Sequence, residues 1–380
     1  MKIIYIIPYV TRKNYCGLSK GVINKIDAQI VALKKYDVDV METHIDISLT
    51  NPVSLINSVL RIRRILSEIY LNKFNFPVDD TYIYCRTLTP YILHNYYASK
   101  TPFKVIFELQ AITSNVLHHW RTPSLYQSLN NLCYGLLDVC LGKRIKLKSS
   151  ALVSVTDEIG DYNRQLTSER LSYLTLGNGI DVSKILLRKV PAYDGVFHVL
   201  VVASVHSWHG IDRFIRGLHE HNAHYANSTK IVLHIVGDGP ELPHLKELTA
   251  ELNLQDRVIF HGFKSGKELD EMFDMCHMAL DALAGFRKGL TETSSLKSRE
   301  YCARGIPFIA SSKDADFPDG WEYVQKIPDD ESSVDMNTII DFANLVLADQ
   351  EHPQKMRRYA EENLDWIAKM RILKEFLETL

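Results

Sequence analysis

Apolar positions along the chain alternate between two spacings. Short runs of β-branched and aliphatic residues at 2–8, 37–43, 81–84, 104–108 and 151–155 read as strands. Between them stand stretches with helical spacing. One runs from about residue 19 to 35. Another covers 54–70, where Leu55, Val59, Ile62, Leu66 and Ile69 share one face at steps of four and three. Apolar strands separated by helices predict parallel sheets covered on both faces. The pattern breaks over 181–195, at Lys184, Arg188, Lys189, Pro191 and Asp194, and then restarts. Strands are expected at 196–203, 230–236, 258–261, 278–280 and 307–310, and helices at 210–219, 242–252, 267–274 and 295–304. A last helix runs from about 354 to 380, with Trp366 near its middle and Ile372, Leu373, Phe376 and Leu377 on an apolar tail. The reading is an α/β chain of two open units, with ligand-facing loops at the strand ends and a cleft between them. The expected domains are 1–182 and 195–355, with 356–380 as a helix that packs back towards the first domain.

Composition agrees with two ordinary globular domains. Of 380 residues, 46% are apolar and 24% charged, which excludes disorder, collagen and coiled coil as the dominant state. The charge is unevenly placed. Residues 1–190 hold 24 Lys and Arg against 15 Asp and Glu, and the remainder holds 20 against 31. A basic first half suggests an anionic partner there. The six cysteines, Cys16, Cys85, Cys133, Cys140, Cys276 and Cys302, show no C-x-x-C spacing and read as reduced thiols of a cytoplasmic protein. The apolar start, 1–10, reads as a strand rather than a leader. No run approaches 18 apolar residues, so any membrane contact is expected to be peripheral.

The segment 288–307 carries the most chemistry. It reads as a loop, a helix capped by Ser294 or Ser295, a stop at Gly305 and a strand after Pro307. A capped helix start exposes backbone N–H groups and the positive end of a dipole, which suits phosphate. Lys288 and Lys297 add positive charge, and Glu292 and Glu300 bracket the helix start. A carboxylate beyond a phosphate cradle is placed to accept hydrogen bonds from ribose or sugar hydroxyls.

This segment resembles the donor-site signature of retaining glycosyltransferases of family 4, with Glu292 and Glu300 separated by seven residues ahead of Ala303-Arg304-Gly305-Ile306-Pro307. Three further segments are similar to the family in consistent order: Asn178-Gly179-Ile180-Asp181, Gly237-Asp238-Gly239-Pro240, and the strand that ends at Gly262. Leu364-Asp365-Trp366 resembles its returning helix. The resemblance implies the GT-B fold, two Rossmann-like domains facing a central cleft. It also implies roles. Glu300 would bind ribose hydroxyls, Glu292 would lie near the donor sugar, and the amides around Ser294, Ser295 and Leu296 would hold the diphosphate. Gly237, Gly262, His209 and Gly210 would line the donor nucleotide, with Phe263 and Lys264 packing on the base. Gly17 would belong to a glycine loop beside donor phosphate and acceptor. Lys20 would either meet an anion or stand exposed. Glu108 and Gln110 would end a strand facing the cleft, on the acceptor or phosphate side, with Gln110 where many relatives have His.

One departure matters. The family's Arg and Lys after the first strand of the second domain are missing. The stretch reads Ala203-Ser204-Val205-His206-Ser207-Trp208-His209-Gly210, with His209 in the lysine's place. A departing diphosphate still needs compensating charge, so Lys288 and Lys297, with Arg287 as a further source, are expected to supply it. His209 is expected to be a hydrogen-bond donor rather than a firm charge.

Other signals are set aside. His219-Glu220-His221-Asn222-Ala223-His224 lacks H-E-x-x-H spacing and reads as a solvated helix end. Asp37-Val38-Asp39 and Asp314-Ala315-Asp316 read as an edge strand and a loop, and His118 and His119 as structural. The basic stretches 61–64 and 143–148 suit either an anionic lipid-linked acceptor or membrane surface, or plain solvated helix faces. No nucleic-acid module accompanies them. The expectation is a retaining, metal-independent transferase without cofactor. It would use a UDP- or GDP-linked sugar and a glycan or lipid-linked acceptor, in the cytoplasm or peripheral on the inner membrane face. The setting would be bacterial surface polysaccharide assembly. A nucleotide-sugar 2-epimerase and a degenerate sugar-binding or partner subunit are the alternatives.

Overall fold

The computed structural model describes residues 1–8, 20–45, 76–87, 100–110, 112, 142–224 and 229–380. The chain divides into two compact units, Met1–Gly177 with Trp366–Leu380, and Asn178–Asp365. The expected helix at 54–70, the basic stretch 61–64, His118 and His119 lie outside the described residues.

The first unit contains β1 (Lys2–Pro8), α1 (Lys20–Lys34), β2 (Asp39–Ile45), β3 (Thr81–Thr87), β4 (Lys104–Leu109), the short α2 (Lys143–Lys146), β5 (Ala151–Ser154), α3 (Asp157–Leu166) and β6 (Ser172–Thr175). Its strands pair in parallel in the order β2-β1-β3-β4-β5-β6. Successive side chains of a strand point to opposite faces, yet Ile3 and Ile4 are both fully buried. The sheet is therefore covered on both sides, as its unbroken apolar runs require. Asp39 lies on the edge strand and pairs with Lys2 at 2.6 Å.

The second unit contains β7 (Val196–Val202), α4 (Ile211–His224), β8 (Lys230–Val236), α5 (Leu242–Glu251), β9 (Val258–Gly262), α6 (Lys267–Met275), β10 (Met278–Leu280), α7 (Leu296–Arg304), β11 (Phe308–Ala310), β12 (Val324–Lys326), α8 (Met336–Ala348) and α9 (His352–Tyr359). Its parallel order is β12-β11-β10-β7-β8-β9. The direction of winding reverses between β7 and β10, which is where open α/β sheets bind ligands at their strand ends. Among the described residues no helix is long and apolar enough to cross a membrane.

The single helix expected at 354–380 is in fact two. A wide turn at Ala360–Leu364 ends at Asp365, which is extended (φ −65°, ψ 142°). The break is caused by partners far away in the sequence. Ile180 N–H donates to Leu364 O at 2.9 Å, and Val182 N–H donates to the Asp365 carboxylate at 3.0 Å. These bonds also hold 178–182 to the second unit, so the division falls at Gly177 and Asp365 rather than at 182 and 355. After the break, α10 (Trp366–Glu378) packs on α1 and buries Trp366, Met370, Leu373 and Leu377 in the first unit's core.

A row of imidazoles crosses one face of the second sheet. The His198 and His234 rings share a hydrogen bond of 2.8 Å, and His234 and His261 share one of 2.9 Å. His277 stacks on His198. Burial pushes His234 down to about 3 and His277 down to about 4, with neighbouring rings adding to both.

Leu373→Ala should destabilise the first unit by about 2–5 kcal/mol, the cost of a buried leucine cavity. Urea unfolding followed by unit-specific probes should show an early first-unit transition, and an unmoved transition would contradict the packing of α10. The depressed histidines give a second expectation. The unfolded chain binds their protons near the ordinary value and the folded chain does not, so the stability they confer is complete above about pH 6.5 and is lost as pH falls towards 3–4. Each histidine contributes a slope of up to about 1.4 kcal/mol per pH unit in that window. Urea midpoints for the second unit at pH 7 and pH 5 measure it, and equal midpoints would refute it.

Candidate functional site

The helix start that the sequence singled out is built on Ser295. This residue is extended, and its Oγ accepts from Lys297 N–H at 3.2 Å, the expected capping bond. Ser295 Oγ also donates to Asp281 at 2.7 Å. Ser294 instead meets Asn178, which donates to it twice, from N–H to Oγ at 2.7 Å and from Nδ2 to O at 2.6 Å. At the far end Gly305 takes φ +72°, and a Cβ there would stand 2.5 Å from Pro353 Cα. Only glycine fits that stop.

Arg299, fully buried, is the anchor of this helix. Its guanidinium donates to Asn178 O at 2.9 Å and Ser295 O at 3.2 Å, and pairs with both Asp314 and Asp316. Burial opposes its charge, but the two carboxylates outweigh that and raise its pKa. The Asp-Ala-Asp loop is therefore an arginine clamp.

Four groups converge beyond the ends of β7 and β10. Asp281, 2% exposed, stands just after β10. Lys297 Nζ lies 3.5 Å from it, sealed from water. Burial lowers the Lys297 pKa, and Asp281 only partly restores it. Lys288 is pushed down to about 8 by burial and by the Lys297 charge. Its Nζ sits 4.2 Å above the Trp208 ring, which His206 stacks against at 4.1 Å. His209 is pushed down to about 2, first by burial and then by the two lysines, so its ring is neutral. Its Nδ1 accepts from His206 N–H at 3.1 Å, which places the proton on Nε2. Gly210 follows it, and the backbone N–H of Leu283 donates to His209 O at 3.0 Å, tying the β7 and β10 loops together. The result is two ammonium groups, one neutral N–H donor and one carboxylate beside a helix N-terminus.

Of the other expected residues, Arg287 does not join the site. Asp212 holds it bidentately at 2.8 and 2.9 Å, Ser207 O accepts from it, and Glu331 pairs with it. Glu292 accepts from Lys313 at 3.2 Å. Glu300 accepts from Arg304 Nε at 2.8 Å, and Arg304 reaches on to Asp270 at 2.7 Å. Leu296 is the exposed first residue of α7. Gly237 N–H donates to Gly262 O at 2.8 Å, and a Cβ on Gly237 would lie 1.9 Å from Ala203 O, so no side chain fits there. Phe263 is 77% exposed, and Lys264 pairs with Glu268 at 3.3 Å. In the first unit Glu108 is sealed, 2% exposed, and pairs with Lys25 at 3.0 Å. Gln110 accepts from Lys25 and Arg86. Lys20 begins α1, and Gly17 lies outside the described residues. In the histidine-rich end of α4, His219 and Glu220 are exposed, whereas His221 turns inward rather than being solvated. Among the described residues no group of three or more His, Cys, Asp or Glu is placed to hold a metal.

Sequence reasoning missed Asp281, Asn178's grip on Ser294, the Trp208–Lys288 contact and the Arg299 clamp. Asp281 had a signal: a single acid closing a short apolar strand. Arg299 had none, because its partners lie 15 and 17 residues further on.

Residues 183–363 match the family model described as glycosyl transferases group 1. No curated protein matches the sequence. Among solved structures, HepE of Anabaena in complex with UDP-glucose is similar over 100% of both chains, at TM-score 0.63 and 15% identity. Sucrose-phosphate synthase from Thermosynechococcus elongatus is similar over 100% of this chain and 98% of its own, at 0.63 and 15%. The lipopolysaccharide outer core galactosyltransferase WaaB, in its apo form, is similar over 100% and 99%, at 0.63 and 13%. The fold is the one these structures share, GT-B.

Arg299→Met should cost the second unit about 3–5 kcal/mol, because it leaves two buried carboxylates without their partner. Denaturant unfolding of the variant checks this, and a loss under about 1 kcal/mol would refute the clamp.

Proposed function

We propose that this chain, whose residues 183–363 match the glycosyl transferases group 1 family, moves a sugar from a nucleotide-diphosphate donor to a glycan or lipid-linked acceptor, with retention at the anomeric carbon. The observation that carries the reading is the sealed Lys297 ammonium beside the N-terminus of α7, close enough to Lys288 to depress its proton affinity. Two crowded cations are costly to hold together unless an anion joins them. A diphosphate supplies that anion.

The division of labour follows. Lys297 and Lys288 neutralise charge on the departing diphosphate in a site where water is scarce and the field is strong. The α7 amides and dipole add to this. His209 donates its Nε2–H, taking over the geometry of a lysine without its charge. Glu300, oriented by Arg304, turns its second oxygen to the ribose hydroxyls. Glu292 lies towards the sugar. The acceptor hydroxyl attacks from the leaving-group side and passes its proton to the departing phosphate, so the chemistry calls for neither a protein nucleophile nor a metal. Catalysis is then positioning plus stabilisation of the leaving group. HepE, solved with UDP-glucose, favours UDP over GDP as the base. WaaB, a lipopolysaccharide galactosyltransferase, favours surface glycoconjugate assembly. Exposed Lys143, Arg144 and Lys148 suit an anionic lipid surface beside the first unit. A sugar-binding subunit without turnover is the second reading, favoured by the neutral His209 where a cation is expected.

A thermal-shift screen of UDP, GDP, ADP and TDP tests the donor site. A ligand at about 100 times its dissociation constant adds about 2.7 kcal/mol. One nucleotide should give that shift, unchanged by chelator, and no shift with any would sink the reading. Turnover of the matching donor separates the enzyme from the silent subunit. Lys297→Met should lower kcat at least about 100-fold, the scale of a lost transition-state contact, with the fold retained. Nucleotide affinity should also fall as pH rises through about 8, because Lys288 then loses the proton that binding requires. The loss approaches about tenfold per pH unit. Affinity that stays flat from about pH 7 to about pH 9.5 would remove Lys288 from the site.

A further inference from the structure

The first unit holds a second polar cluster that the donor chemistry does not use. It lies under α1, on the face of the sheet at β1, β3 and β4, where the strand order of that unit reverses beside β1. Tyr5 pairs in register with Tyr84, and Arg86 with Glu108, so the four side chains share one face. Lys25 and Gln29 come down on them from α1. Lys25 pairs with Glu108 at 3.0 Å, Gln29 Nε2 donates to Glu108 at 3.3 Å, and Tyr5 Oη donates to Gln29 at 2.7 Å. Arg86 Nη2 and Lys25 Nζ both donate to Gln110 Oε1, at 3.2 and 3.3 Å.

Among the described residues the cluster contains two cations, Lys25 and Arg86, and one carboxylate, Glu108. Burial would raise the Glu108 carboxyl, but Lys25 and Arg86 hold it below its ordinary value, so it is ionised; its ion pair is with Lys25, and among the described residues Arg86 forms none. Donors are also left over. Tyr84 is 1% and Arg86 7% exposed. Among the described residues, Tyr84 Oη, Arg86 Nε, Arg86 Nη1 and Gln110 Nε2 have no hydrogen-bond partner. Buried donors are normally satisfied, and buried arginine charge is normally paired. These four atoms are all able to donate, and the charge in excess is positive. Both imbalances are removed by one group, an oxyanion. Gln110 is the partly exposed member and marks the way in. A leucine-like filling would satisfy neither imbalance, and a water would satisfy only the donors.

We propose that this cluster binds an oxyanion of the acceptor, a phosphate or a carboxylate, with Arg86 as the residue that selects for it and Tyr84 and Gln110 as further donors. That the anion belongs to an acceptor rests on the transferase reading; the cluster rests on the first unit alone. The consequence is that acceptors carrying negative charge are taken and neutral ones are refused.

The test uses the full-length chain saturated with the nucleotide diphosphate found in the screen, so that the donor-side cations are already occupied. Inorganic phosphate and glucuronate are titrated separately by calorimetry into wild type, Arg86→Gln and Tyr84→Phe. One of the two probes should bind wild type, and which one does distinguishes a phosphorylated acceptor from a uronate. Arg86→Gln should weaken that probe at least about tenfold, the scale of a lost charged hydrogen bond, and Tyr84→Phe severalfold, each with nucleotide affinity unchanged. If Arg86→Gln does not fold, Tyr84→Phe, which removes one hydroxyl and no charge, decides alone. Neither probe binding wild type, or a probe binding wild type and variants alike, overturns the proposal. A chain that binds no nucleotide but loses its anion with Arg86→Gln would overturn the transferase reading and leave the anion-binding cluster standing.

Discussion

One buried guanidinium holds the second unit's functional end together. Arg299 reaches the carbonyls of Asn178 and Ser295 and the carboxylates of Asp314 and Asp316. It thus joins the first residue of the unit, the cap of α7 and the loop after β11. The cap in turn fixes Asp281 through Ser295, and Asp281 faces Lys297. A lysine in place of that arginine could not serve, because only a planar fork meets two carboxylates and two carbonyls at once. The site's precision is set from behind, by a residue whose donors are taken up by the protein itself.

The fold was legible wherever one strand or helix carried its own signal. The strands at 2–8, 230–236 and 278–280 match β1, β8 and β10 residue for residue, and Gly305 ends α7 as its position implied. The errors came from partners distant in sequence. The break at Asp365 is invisible in a helical pattern that continues past it, because its cause is Ile180 and Val182, which stand far earlier in the chain. Arg287 looked like a site cation because it adjoins Lys288, but Asp212 takes it up. Glu108 looked like a cleft carboxylate because it ends a strand, but α1 lowers Lys25 onto it. Charge next to a site in sequence is weak evidence of charge in the site. Arg86 escaped notice for the same reason: what distinguishes it is the absence of partners for part of its fork, and sequence shows only what is present.

The two units treat positive charge in opposite ways. In the second unit the lysines are crowded, lose proton affinity and are balanced by one aspartate. In the first, a complete ion pair is sealed and a further cation is left beside it. The crowded arrangement changes with pH near neutrality, since Lys288 titrates at about 8, whereas a guanidinium keeps its charge throughout.

The imidazole row on the second sheet has a property of its own. Three neutral rings joined by two hydrogen bonds have only two self-consistent proton orders. Either His198 donates to His234 and His234 to His261, or both bonds run the other way. In the first order His261 ends with an N–H outward and His198 with a lone pair; in the second these are exchanged. The rings must reverse together, because a mixed order places two protons or none between neighbours. What bonds to His261 at one end of the row therefore dictates whether His198, two strands away, offers a proton or accepts one. The sheet carries a polarity written only in hydrogens, with no heavy atom displaced.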